Sequence, residues 1–168
     1  MNKLEYIPGD LVMTNGVPGT AIYVVYRVTS SDPSKTLKLG DGTVLKGVVC
    51  LENIEGAELG ERGYLSGDCC AWVKDIVPIP LTPEILEKNG WKKKVMSRGV
   101  KNSHWVYTKP DIEEYGYFPI YIEKGICDEF DVYPFTDNNV CTQIAYIKYV
   151  HQLQHLLFGI GINHEMEV

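Results

Sequence analysis

The chain has 168 residues, 45% of them hydrophobic, with 16 Lys and Arg against 22 Asp and Glu and a formal net charge of −6. That length serves one domain or two small ones, and no apolar run is long enough for a membrane-spanning helix. The acidic balance argues against generic binding to duplex nucleic acid, which leans on cationic surface.

Residues 1–79 predict a small, SH3-like β-barrel. Ile7-Pro8-Gly9-Asp10 is a turn that delivers Leu11-Val12-Met13 as a first strand, and Asn15-Gly16 and Pro18-Gly19 break the chain again. Thr20 to Val28, dense in β-branched and aromatic residues, is the strongest strand pattern here. Ser30 to Ser34 reads as a loop. Lys35–Leu39 and Thr43–Cys50 are strands on either side of Gly40-Asp41-Gly42, a hairpin turn whose glycines tolerate positive φ. Glu52 to Asp68, rich in Gly and Glu, reads as an exposed arm, and Cys69 to Val77 as the closing strand.

Pro78-Ile79-Pro80 is a stiff joint, because each proline fixes φ and removes a donor. Beyond it, residues 80–168 predict an α+β domain, so that the whole chain is mainly β. A helix over 82–89 opens with Thr82 as N-cap and Pro83 at the first helical position. Leu81 and Leu86 sit where a hydrophobic staple forms, and Asn89-Gly90 stops the helix. Three or four strands follow, among them Ser103–Thr108, Tyr117–Ile122 and Phe130–Phe135, with Pro119 and Pro134 pushing the last two toward edges or bulges. Gln143 to Ile147 is a short strand feeding a helix over 148–159. In that helix Val150, Leu153, Leu157 and Ile160 form an apolar stripe to lie on the sheet. Lys148, His151, Gln152 and His155 are expected on the wet face, with Gly159 and Gly161 as the stop.

Two segments, IPLTPEILEKNGW at 79–91 and YIKYVHQLQHLLF at 146–158, resemble a family of uncharacterised proteins of Bacteroides-type genomes, found in prophage or mobile-element neighbourhoods. Its members share the order of a barrel, a proline joint, an LTPEILEKNGF helix and a closing YVHQLQNLYF helix. The motifs carry no known chemistry, so the resemblance implies a kind of gene rather than an activity. The chain departs from the pattern at His155, where the family form has Asn, and in the tail from Gly159 to Val168.

The candidates for chemistry are sparse. His151 and His155, four apart on a helix, have the spacing of a two-histidine metal face, but no third ligand stands at a recognised spacing and Lys148 opposes a cation. No metal or cofactor is expected. Cys69-Cys70 lacks the CxxC spacing of zinc and redox motifs, and adjacent strand residues face opposite ways. The odd total of five cysteines fits reduced thiols and a cytoplasmic protein. Cys127 and Cys141 have no triad context, and the acidic run Asp128, Glu129, Asp131 and Asp137 lacks the pattern of a calcium loop.

The one basic island is Lys92, Lys93, Lys94, Arg98 and Lys101, flanked by Trp91 and Trp105; without those five charges the net charge falls to −11. Cations with interleaved indoles suit a single-stranded nucleic acid, while lysine on an edge strand is also an ordinary guard against aggregation. With no assembled acid, base, nucleophile or metal set, the leading expectation is a non-catalytic interaction module with a protein partner and no membrane association. Nucleic-acid association through residues 92–101 is the alternative, and an enzyme with an interdomain site the second alternative.

Overall fold

The computed structural model describes residues 5–16, 22–54, 69–97, 103–109, 120–125, 128–134 and 142–168. The protein is mainly β, with two five-stranded antiparallel sheets and short helices, and it divides into two compact units, Met1–Ile79 and Pro80–Val168. No described helix is long and apolar enough to cross a membrane.

The first unit contains β1 (Leu11–Thr14), β2 (Tyr26–Lys38), β3 (Val44–Asn53), β4 (Cys69–Trp72) and β5 (Ile76–Pro78), ordered β4-β3-β2-β1-β5. β3 shows the reason for its strand in its side chains: Leu45, Val49 and Leu51 point inward while Lys46 and Glu52 stay wet. Val49 and Leu51 join Tyr6, Val12, Tyr26, Val28, Ala71 and Ile76 in the core. The turn expected at Gly40–Gly42 is present. Gly42 has φ +90°, Leu39 N–H donates to the Thr43 carbonyl at 2.8 Å, and Thr43 N–H donates to Asp41 Oδ1 at 2.9 Å.

Four expectations for this unit are corrected. Of the strand expected over Thr20–Val28, Thr20 and Ala21 lie outside the described residues, and from Ile22 onward the strand begins at Tyr26, because Tyr23 turns to φ +65° and Ile22 makes an isolated bridge to Thr14. Ser30–Ser34 is strand, not loop, because β3 supplies hydrogen-bonding partners that polar side chains do not announce. Two irregularities in that ladder, between Val28 and Ser30 and between Asp32 and Thr36, leave residues unpaired and bend β2. Gly47 faces the second of them at φ +70°, where an added Cβ would stand 2.7 Å from Val73 Cγ2. The closing strand is split by a 3-10 turn at Val73–Asp75, which carries the chain from β3 to β1. Among the described residues β4 and β5 share no pairing, so the sheet is open and the closed barrel is not found. Of the arm, residues 55–68 lie outside the described residues, as do Pro18 and Gly19.

The second unit contains α1 (Pro83–Lys88), β6 (Lys92–Ser97), β7 (Ser103–Thr108), β8 (Ile120–Lys124), β9 (Phe130–Pro134), β10 (Ala145–Ile147) and α2 (Val150–Gly159), with the sheet ordered β10-β9-β8-β7-β6. β8 and β9 are therefore interior strands, not edges; Pro134 is accommodated because it ends β9. Pro119 lies outside the described residues.

The two described helices of this unit stop the same way. After α1, Trp91 N–H donates to the Leu86 carbonyl and Gly90 N–H to Glu87, with Gly90 at φ +83°. After α2, Ile162 N–H donates to Leu157 and Gly161 N–H to Phe158, with Gly161 at φ +75°. This double closure needs a glycine in the left-handed region and favours an apolar residue just after it. They start differently. Thr82 Oγ1 accepts from Ile85 N–H at 3.3 Å, whereas in α2 the Gln152 side chain reaches back to accept from the N–H groups of Lys148 and Tyr149. The tail folds back along the unit: Asn89 Nδ2 donates to the Glu167 carbonyl, Glu167 N–H donates to Asn89 Oδ1, and Gln154 Nε2 donates to the His164 carbonyl.

The apolar stripe of α2 is also corrected. Val150, Leu153 and Leu157 are buried as expected, but His151 and Gln154 are buried with them, and Ile160 lies at the exposed end. The buried arc is set by what the helix packs against, and here it is wider than the apolar residues alone.

Candidate functional site

The basic island becomes the edge of a sheet. β6 pairs only with β7 among the described strands, in the register Lys92↔Thr108, Lys93↔Tyr107, Lys94↔Val106 and Val95↔Trp105. Because a strand alternates its faces, the three lysines do not form one patch. Lys92 and Lys94 share one face; Lys94 stands in a row with Val106 and the carboxylates of Glu123 and Asp131, and Lys92 in a row with Thr108, Tyr121 and Tyr133. Lys93 and Val95 share the other face with Trp105 and Tyr107.

That second face changes character along β7. Tyr107 is buried, and burial followed by the carboxylates of Glu87 and Glu84 pushes its phenol above the usual value, so α1 lies near that end. Two residues away Trp105 is 57% exposed, directly opposite Val95 at 46%. Lys93 Nζ stands 5.0 Å from the centre of the indole, within cation–π range. The result is a small apolar surface with one cation beside it, at a strand edge.

The other residues of the island do not join it. Trp91 is only 2% exposed, because it is the apolar residue that follows the glycine stop of α1, and like Leu86 it is buried; its indole has no face to offer a base. Arg98 and Lys101 lie outside the described residues, as do Cys127, Cys141 and Asp137.

The histidine pair expected on the wet face of α2 is drawn partly into the interior. His151 is 5% exposed and its ring stacks on Tyr149 at 5.8 Å, while His155 meets it edge-on at 5.7 Å. Among the described residues no group of three or more His, Cys, Asp or Glu is placed to hold an ion.

Sequence reasoning missed a cleft of about 410 Å³ in the second unit, lined by Thr82, Lys124, Asp128, Phe130, Lys148 and Tyr149 among others. Lys124 approaches Asp128 at 3.9 Å and Lys148 Nζ stands 5.7 Å from the Tyr149 ring. These side chains offer both charge and apolar contact to a bound group. No signal in the sequence joins residues so far apart. Val95 was also missed, since only the register with β7 sets it against Trp105.

No protein-family model matches this chain, and neither a curated protein nor a solved structure shows a significant similarity to it.

Proposed function

We propose that this protein is a non-catalytic interaction module whose second unit takes an extended protein segment along the edge of β6 that no described strand pairs with. The observation that carries the reading is the pair Val95 on the edge strand β6 and Trp105 opposite it on β7, both open, with Lys93 against the indole. An added strand gains main-chain hydrogen bonds from the edge and specificity from alternate side chains. Apolar residues at alternate positions of the partner would lie over Val95 and Trp105, and acidic residues between them would meet Lys92 and Lys94 on the opposite face. The SH3-like reading of the first unit belongs with this function. Its support is the meander from β1 to β4 followed by the return of β5 to β1. The motif resemblance supports a prophage or mobile-element setting, and the cysteine usage a cytoplasmic one.

A specific observation also favours single-stranded nucleic acid as a second reading: an exposed indole with a lysine already beside it is the pairing that stacks a base and meets a phosphate. One titration separates the two. A fluorescent peptide of alternating valine and glutamate and a thymidine oligonucleotide are each added over a range of salt. The protein reading expects peptide binding with slowed amide exchange in β6. It also expects a loss of about 2 kcal/mol or more on Trp105→Ala, as for a central aromatic anchor. Oligonucleotide binding that weakens steeply with salt, with no peptide binding, establishes the second reading instead. Binding of neither removes both.

A further inference from the structure

The cysteine that matters to Cys70 is not its neighbour in sequence. Strand alternation sends Cys69 inward, where its thiol lies 3.7 Å from the Leu51 carbonyl and the side chain packs on the core. Cys70 turns outward and is exposed. Across the ladder, the register of β3 with β4 sets Cys50 directly opposite Cys70, and their sulfurs stand 2.8 Å apart. Directly opposed residues of an antiparallel pair have Cα atoms about 4.5–5.5 Å apart, inside the span of about 4.4–6.8 Å that a disulfide bridges without moving the backbone. The pair sits on the face turned away from the core, in a row with Ser30, so a reagent in solution reaches it.

We infer that Cys50 and Cys70 form a reversible dithiol–disulfide site that reacts with small-molecule disulfides. The Cys70 thiolate, the more exposed of the two, attacks one sulfur of a small disulfide. An S–S bond forms to Cys70, the reagent's own S–S bond breaks, and one small thiolate leaves and takes up a proton. The Cys50 thiolate then attacks the Cys70 sulfur of this mixed disulfide. The Cys50–Cys70 bond forms and the second small thiolate leaves. Two protein thiols have lost two electrons and two protons, and one small disulfide has been reduced to two thiols. The second step runs within one molecule between groups already in contact, so the mixed disulfide is short-lived. The bond ties β4 to β3 and closes a covalent loop over residues 51–69.

The test treats the full chain with oxidised glutathione and reads thiol release, intact mass and a peptide map. The expected result is two equivalents of glutathione released per chain, two of the five thiols lost, no retained glutathione, and a Cys50–Cys70 cross-linked peptide that dithiothreitol opens. Cys50→Ser and Cys70→Ser each stop at one equivalent or none and give no such peptide. A wild-type chain that keeps glutathione on Cys70, or joins Cys70 to Cys69, Cys127 or Cys141, or does not react, overturns the inference. The wild-type map decides this even where a serine variant fails to fold.

Discussion

The two described helices of the second unit end alike and begin differently, and the contrast separates what a sequence says locally from what packing decides. Both α1 and α2 close on a glycine at positive φ with paired backbone bonds, and both commit the next apolar residue to that closure. At their starts α1 uses a side chain placed before the helix, Thr82, whereas α2 uses one placed inside it, Gln152. Along their length α1 is too short to stand alone, while α2 buries a histidine and a glutamine beside its leucines. Helix ends are thus local events. The buried face is a tertiary one.

The largest test of this contrast is loss of the core residue that each helix depends on. Trp91→Ala removes the indole that follows the α1 stop and is expected to cost about 3–5 kcal/mol; Leu153→Ala, in the middle of the α2 stripe, about 2–5 kcal/mol. Urea denaturation followed by far-UV circular dichroism reads both. A loss below 1 kcal/mol for Trp91→Ala would mean that the indole is not the buried residue described and would return it to the candidate surface.

The same division explains what was legible. Thr82, Pro83, Asn89 and Gly90 mark α1 because each acts on its immediate neighbours, and the Gly40–Gly42 hairpin is readable for the same reason. β7, β9 and β10 follow from local runs of β-branched and aromatic residues. The polar half of β2 is a strand only because β3 lies beside it. Trp91 looked like a surface aromatic next to three lysines, and only the closure of α1 turns it inward. The candidate site was half legible: Lys93 and Trp105 were marked as residue types, but Val95 enters through register, and alternation removes Lys92 and Lys94 from their neighbour's face. Cys50 and Cys70 are joined by pairing across β3 and β4, which no spacing in the chain encodes.

A smaller effect sharpens the comparison at the helix starts. Thr82→Ala removes the oxygen that accepts from Ile85 N–H and is expected to cost about 1 kcal/mol, the usual worth of such a cap. Gln152→Ala leaves the N–H groups of Lys148 and Tyr149 without their shared acceptor and is expected to cost a similar amount, about 1 kcal/mol, because water reaches the exposed Lys148. Equal losses in urea midpoints establish that a cap from inside the helix serves as well as one from before it. A Gln152→Ala loss well above that of Thr82→Ala would show that the α2 start is held more by its surroundings than by water-replaceable bonds.

The smallest effect is a difference in acid sensitivity. α1 carries Glu84 in its first turn and α2 carries no acidic residue there. The Glu84 backbone N–H, followed by the Thr82 hydroxyl, holds the Glu84 carboxyl below its usual value of 4.5, the direction expected for an anion at a helix start. A lowered value in the folded state means that the folded chain binds this proton less readily than the unfolded chain does. The stabilisation is therefore fully present above pH 4.5 and is lost as the pH falls through the lower folded value. Glu84 is fully exposed, so solvent and salt keep the effect small. Carboxyl-carbon NMR titration reads it directly, with the Glu84 midpoint expected below that of a glutamate in an unstructured peptide. Amide exchange at the α1 start should quicken over that acid range, after correction for the intrinsic pH dependence of exchange, while the α2 start stays unchanged. Glu84→Gln should abolish the difference between the two helices. An acid response shared equally by α1 and α2 would place its origin in the unit as a whole and not in the first turn of α1.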